Sequence, residues 1–74
     1  MNVKDGAGLA EMDRIYERYG KPLEAEHWGE FLAVAPDGRT LLAPTLQDAV
    51  YQSVERFGRG GFVFKVGEQA VGRI

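Results

Sequence analysis

The chain has 74 residues, of which 45% are hydrophobic and 27% charged, with a net charge of −2 and no cysteine. This is the composition of one folded domain, not of a disordered chain. It excludes disulfides and thiolate metal sites, and its charge offers no attraction to a polyanion such as nucleic acid.

Residues 1–8 are small and polar and read as a flexible lead-in to a single domain over residues 9–74. From Leu9 the pattern turns helical. Leu9, Met12, Ile15, Tyr16 and Tyr19 recur at spacings of three and four, which places them on one helix face. Gly20 is the expected left-handed stop of that helix, with Pro22 behind it. Residues 21–29 read as a short helical turn with Pro22 near its start, anchored by Leu23 and Trp28 and ended by Gly29. Residues 30–35 read as a strand apolar on both alternating sets, which belongs at the centre of a sheet. Pro36-Asp37-Gly38 predicts a type I turn with a glycine bulge, and residues 39–43 return as the second strand. Pro44 ends that strand, because it has no N–H to donate.

Thr45 predicts an N-cap that accepts from the N–H of Asp48. Leu46, Ala49, Val50, Val54 and Phe57 form the apolar stripe of the helix that follows, with Ser53 as a small member. Gly58 closes it. Residues 62–66 form a strand with Phe62, Phe64 and Val66 on one face, expected to pack against Val50, Val54 and Phe57. Gly67-Glu68 turns the chain, and residues 70–74 add a possible last strand. The expected fold is a small α+β domain of order αββαβ(β), with a mostly antiparallel three- to four-stranded sheet.

No apolar run approaches the roughly 18 residues that span a bilayer, and residues 1–6 lack the apolar core of a signal peptide. The reading is a cytoplasmic protein without membrane contact. A domain of this size buries only about 60% of its unfolded surface. An efficient core or self-association must therefore supply stability, and a homodimer is expected. Either the first helix or a second copy must cover the second face of the two-sided strand.

One polar cluster has chemical potential: Glu24, Glu26, His27 and Glu30. His27 could act as a general base beside a carboxylate. On a continuous helix, Glu26 and Glu30 would share a face toward a divalent cation. The blander reading is a polar surface turn, since one histidine without a nucleophile or second ligand is not a site. No cofactor or metal is expected. Arg59-Gly60-Gly61 leads from a helix into a strand, opposite to the polarity of a phosphate loop. Phe62 and Phe64 are read as core, not as an RNA-stacking pair. Tyr16, Tyr19, Trp28 and Tyr51 are candidate interface residues, weighed against burial in the chain's own core. Arg14, Arg18 and Lys21 lie along the first helix, interleaved with Glu11 and Glu17, as a solvated face.

Two resemblances follow from these segments. Tyr-Gly-Lys-Pro-Leu-Glu-Ala-Glu-His-Trp-Gly-Glu at 19 to 30, Pro-Asp-Gly-Arg-Thr at 36 to 40, Thr-Leu-Gln-Asp-Ala at 45 to 49 and Phe-Val-Phe-Lys-Val-Gly at 62 to 67 resemble a group of short bacterial proteins of unknown function. That resemblance implies a fold and carries no activity. Thr45, Leu46, Asp48 and Ala49, placed after a hairpin, are similar to the pattern of HicB-type antitoxins. This sequence departs from them at the proline-glycine-cysteine loop between the first two strands and in the DNA-binding segment after the last strand. The sequence therefore supports a non-enzymatic interaction module that self-associates. The alternatives are an antitoxin-like regulatory partner of another small protein, or a metal-binding or hydrolytic site at Glu26, His27 and Glu30.

Overall fold

The structure, a computed structural model, describes residues 11–74, with the backbone alone for residues 69–71. The expected lead-in and Leu9 lie outside that span. Residues 11–15 are α-helical, and this helix, α1, closes in a π turn over Tyr16–Gly20. A 3-10 turn over Lys21–Leu23 and a short helix α2, Glu24–His27, follow without a break. Met12, Ile15, Tyr16 and Tyr19 form the core side of this run, as their spacing predicts, and Leu23 joins them from the turn that follows.

The expected stop at Gly20 is corrected. Gly20 has right-handed helical geometry, φ −91° and ψ −41°, not the left-handed geometry of a helix-ending glycine. Its small size serves close approach instead. A Cβ there meets two Tyr16 ring carbons at 2.5 Å. The ring lies over the backbone, and Lys21 N–H reaches back to the Tyr16 carbonyl in the π pattern. Pro22 sits in the first turn of the 3-10 segment, where its missing N–H breaks no bond. The run ends only at Trp28 and Gly29, where Gly29 takes φ +89°.

The sheet has the order β2-β1-β3-β4. Its strands are β1, Phe31–Val34, β2, Thr40–Ala43, β3, Phe62–Lys65, and β4, Gln69–Arg73. Every pairing is antiparallel. β1 lies between β2 and β3, as its two-sided apolar pattern predicts. The β1–β2 turn forms as expected: Gly38 N–H donates to the Ala35 carbonyl at 2.9 Å, and Gly38 takes φ +94°. The Asp37 carboxylate accepts from both the backbone N–H and Nε of Arg39. The backbone N–H, then the guanidinium, hold its carboxyl below the usual carboxylate range. Beyond the β1–β3 ladder, Val66 N–H donates to the Glu30 carbonyl and Gly29 N–H to the Val66 carbonyl, both at 2.9 Å. The β3–β4 register shifts by one between Val63 and Phe64, which marks a bulge.

Each face of the sheet has its own cover. On one side lies α3, Leu46–Phe57, capped as predicted by the Thr45 hydroxyl, which accepts from Asp48 N–H at 3.1 Å. It packs on Ala33, Leu41, Ala43 and Val63 through Ala49, Val50 and Phe57. Alanines on both sides let helix and sheet approach closely. On the other side Leu32, Val34, Phe64 and Val66 pack against Tyr16 and the α1–α2 run. The first helix therefore covers the second face of β1 within one chain.

The expected contacts of β3 are corrected in consequence. Phe62 and Phe64 do not meet Val50, Val54 and Phe57. They face α1, because the register sets them opposite Val34 and Leu32, which point to that side. The intervening Val63 meets α3. Period-two alternation separates two sets of side chains but does not say which set meets which helix.

Ser53 is buried on the inner side of α3, and its hydroxyl has no hydrogen-bond partner among the described residues. A buried hydroxyl without a partner costs on the order of 1–3 kcal/mol, and alanine is the better helix former. Ser53→Ala is therefore expected to stabilise the protein by about 1 kcal/mol. A thermal melt checks this, and a lowered melting temperature would show that the hydroxyl does find a partner.

Candidate functional site

The four polar candidates separate into two pairs. Glu24 and the core residue Tyr16 form the first. The Tyr16 hydroxyl donates to Glu24 Oε2 at 2.6 Å and accepts from Gly67 N–H at 2.7 Å. Tyr16 is only 3% exposed. Its burial, and after that the hydrogen bond to the Glu24 carboxylate, push the phenol above its ordinary pKa of 10.0, against the opposing effect of the Gly67 N–H. A buried phenol with both bonding directions used is a clasp between α1 and the β3–β4 turn. It is not placed to act on a substrate.

His27 and Glu30 form the second pair, with Nδ1 and Oε2 2.9 Å apart. They face each other across the Trp28-Gly29 turn. The expected helix face shared by Glu26 and Glu30 does not exist, because α2 ends at His27 and Gly29 redirects the chain. Glu26 is exposed and belongs to neither hydrogen-bonded pair. Among the described residues, no three histidine or acidic side chains gather where they could hold a metal ion. Among the described residues, the hydrogen-bond partner of His27 is Glu30, and no nucleophilic hydroxyl joins the pair.

The four aromatic candidates also divide. Tyr16 is taken into the core. Tyr19 is half-buried, and its hydroxyl rests over the hairpin, where a Cβ on Gly38 would meet it at 3.0 Å. Trp28 and Tyr51 remain exposed, at 63% and 64%. Tyr51 stands on the outer side of α3 and reaches Glu55 Oε2 at 3.3 Å. Trp28 is held differently. A Cβ on Gly67 would meet the fused edge of the indole at 2.5 Å, so the ring lies flat on the Gly67 backbone. Gly67 itself takes φ +93°. The tryptophan is thus fixed on its inner face and open on its outer one. Sequence reasoning marked Trp28 as an interface candidate but missed Gly67 as its seat. The only local signal was a glycine at a turn.

A broad open cleft of about 1080 Å³ lies elsewhere, between α1 and the β1–β2 hairpin. Tyr19 and Phe62 line it, with Arg14, Arg18 and Arg73. Arg18 stands 5.5 Å from the Tyr19 ring centre, and Arg73 5.5 Å from that of Phe62. The sequence did not bring these together, since Arg73 and Arg18 are distant along the chain.

The glycine loop is a connection, as its polarity suggests. Gly60 N–H donates to the Ile74 carbonyl at 3.3 Å, and a Cβ on Gly61 would collide with the Val34 carbonyl. Phe64 is 0% exposed and cannot stack on a base. No helix among the described residues is long and apolar enough to cross a membrane. No protein-family model, curated protein or solved structure matches this chain.

Proposed function

We propose that this chain is a non-enzymatic interaction module that self-associates through the surface bearing Trp28. The supporting observation is an exposed indole held in one orientation by the Gly67 backbone. A fixed aromatic ring loses little side-chain freedom on binding, which is why tryptophan is enriched among residues that dominate interface energies. Coverage of the second sheet face by α1 removes one motive for a dimer, so the reading rests on this ring. The lack of cysteine supports a reducing, cytoplasmic setting.

The wild-type chain is expected to sediment above its single-copy mass of 8.2 kDa at high micromolar concentration. Trp28→Ala is expected to return it to that mass with an unchanged circular dichroism spectrum. A folded Trp28→Ala variant that associates like the wild type would overturn the reading.

A second reading keeps a specific support. The hairpin, Thr45-capped helix and following strand reproduce the order that resembles HicB-type antitoxins. A small basic protein encoded beside this chain, and co-purifying with it, would favour a regulatory partnership.

A further inference from the structure

The geometry points to head-to-tail self-association, in which Trp28 of one copy enters the α1–hairpin cleft of the next. This rests on the self-association proposed above and assigns it a receptor.

The tryptophan and the cleft occupy opposite ends of the strands. Gly29 and Val66 are bonded just before Phe31 at one end of β1, and Trp28 lies over Gly67 there. The hairpin residues Pro36 to Gly38 follow Val34 at the other end, beside Phe62 and its partner Arg73. Four residues of strand separate the two ends, about 13 Å at the usual rise. Surfaces at opposite ends of β1 cannot meet within one copy. Two copies joined by one such contact make a heterologous pair, which leaves one tryptophan and one cleft free.

The cleft has the chemistry to receive an indole. Arg18 and Arg73 already lie over the Tyr19 and Phe62 rings, each 5.5 Å from the ring centre. A guanidinium stacked on one ring offers its other face to a second, and tryptophan is the strongest partner of this kind. Four carboxylates also line the cleft: Glu11, Asp13, Glu17 and Asp37. Two of these are engaged by cations outside it, Glu17 by Lys21 at 3.7 Å and Asp37 by Arg39 at 2.8 Å. Among the described residues, Arg14, Arg18 and Arg73 make no ion pair.

The surroundings are complementary in charge. Glu24, Glu26, Glu30 and Glu68 lie at the Trp28 end, against Lys65 bonded to Glu68 at 3.5 Å and His27 bonded to Glu30. At the cleft end, Arg59 in the loop before β3 joins the three guanidiniums, against Glu11 and Asp13, while Arg39 is already taken up by Asp37. Approach of an acidic end to an arginine-bearing end is favoured, and it weakens as salt rises.

Two variants test this by sedimentation and by the fluorescence of the single tryptophan. Trp28→Ala lacks the inserted ring, and the double variant Arg18→Glu/Arg73→Glu lacks the receptor. Each alone is expected to associate at least about tenfold more weakly than the wild type. Their equimolar mixture is expected to form a one-to-one pair that grows no further, because only one productive contact remains. Wild-type Trp28 emission is expected to shift to the blue as concentration rises, a readout that needs no variant to fold. An arginine double variant that associates alone like the wild type overturns the head-to-tail contact and leaves self-association through Trp28 standing. So does a mixture that stays as single copies. A wild-type chain that remains at the mass of one copy up to millimolar concentration overturns both readings, and growth in mass without any change in emission removes Trp28 from the contact.

Discussion

Gly20→Ala is expected to destabilise the protein by about 1 kcal/mol net, although helix propensity favours the change by about 1 kcal/mol. The residue has helical angles, so an alanine there meets no backbone strain. The obstacle is the Tyr16 ring, 2.5 Å from where the new methyl must sit. That ring cannot swing away cheaply. It is buried, lies with its centre 5.6 Å from that of Phe64, and is bonded through its hydroxyl at both Glu24 and Gly67. Overpacking of a closed core typically costs 1–3 kcal/mol, which exceeds the propensity gain. For a domain of this size, each kcal/mol moves the melting temperature by about 4–8 °C. The expected drop is therefore about 4–8 °C by thermal melt. A variant melting at or above the wild type would show that Tyr16 moves freely, and that Gly20 is not there for the ring.

Tyr16→Phe is expected to cost about 2 kcal/mol through the loss of one oxygen atom. The ring and its packing stay. What disappears is the acceptor for Gly67 N–H and the donor to the Glu24 carboxylate. A hydrogen bond to a charged group contributes about 1.5–3 kcal/mol, and an abandoned buried donor adds its own desolvation cost. The same bond ties α1 to a turn 51 residues away in sequence, so its loss loosens the cover of one sheet face. Denaturant unfolding at neutral pH checks the size of the effect, and a loss below about 0.5 kcal/mol would mean that water replaces the hydroxyl.

The clasp also has a pH signature. The folded pKa of Tyr16 is raised, first by burial, from its ordinary value of 10.0. The folded state then holds the phenol proton more tightly than the unfolded chain does. The resulting stability is fully present below pH 10 and is lost as pH rises from there through the folded pKa. The gap in stability between wild type and Tyr16→Phe should therefore narrow in alkaline solution, while titration of the other tyrosines and lysines cancels between the two. A gap that stays constant from neutral pH to well above 10 would remove the phenol from the linkage.

Much of the fold was legible because it is written by near neighbours. The Thr45 cap, the Pro36-Asp37-Gly38 turn, the Gly58 helix end and the Gly67-Glu68 turn each depend on a few adjacent residues. The central place of β1 followed from its two-sided apolar pattern. The candidate site was legible only as a set of residue types. Trp28 and Tyr51 stay outside, whereas Tyr16, equally aromatic and on the same stripe as Tyr19, is core. Nothing in the spacing separates those outcomes.

The sequence by itself determined the order of elements, the turn and cap chemistry, and the absence of thiol chemistry. Only the tertiary structure decided that α1 runs on through Gly20, that it covers the second sheet face, and that Phe62 and Phe64 turn toward it. It alone seated Trp28 on Gly67 and gathered Arg14, Arg18 and Arg73 beside Tyr19 and Phe62. The physical reason is range. Caps and turns are settled by dihedral preferences and hydrogen bonds a few residues long, whereas the choice of face, the burial of one tyrosine and the exposure of one tryptophan depend on which distant surfaces close on each other.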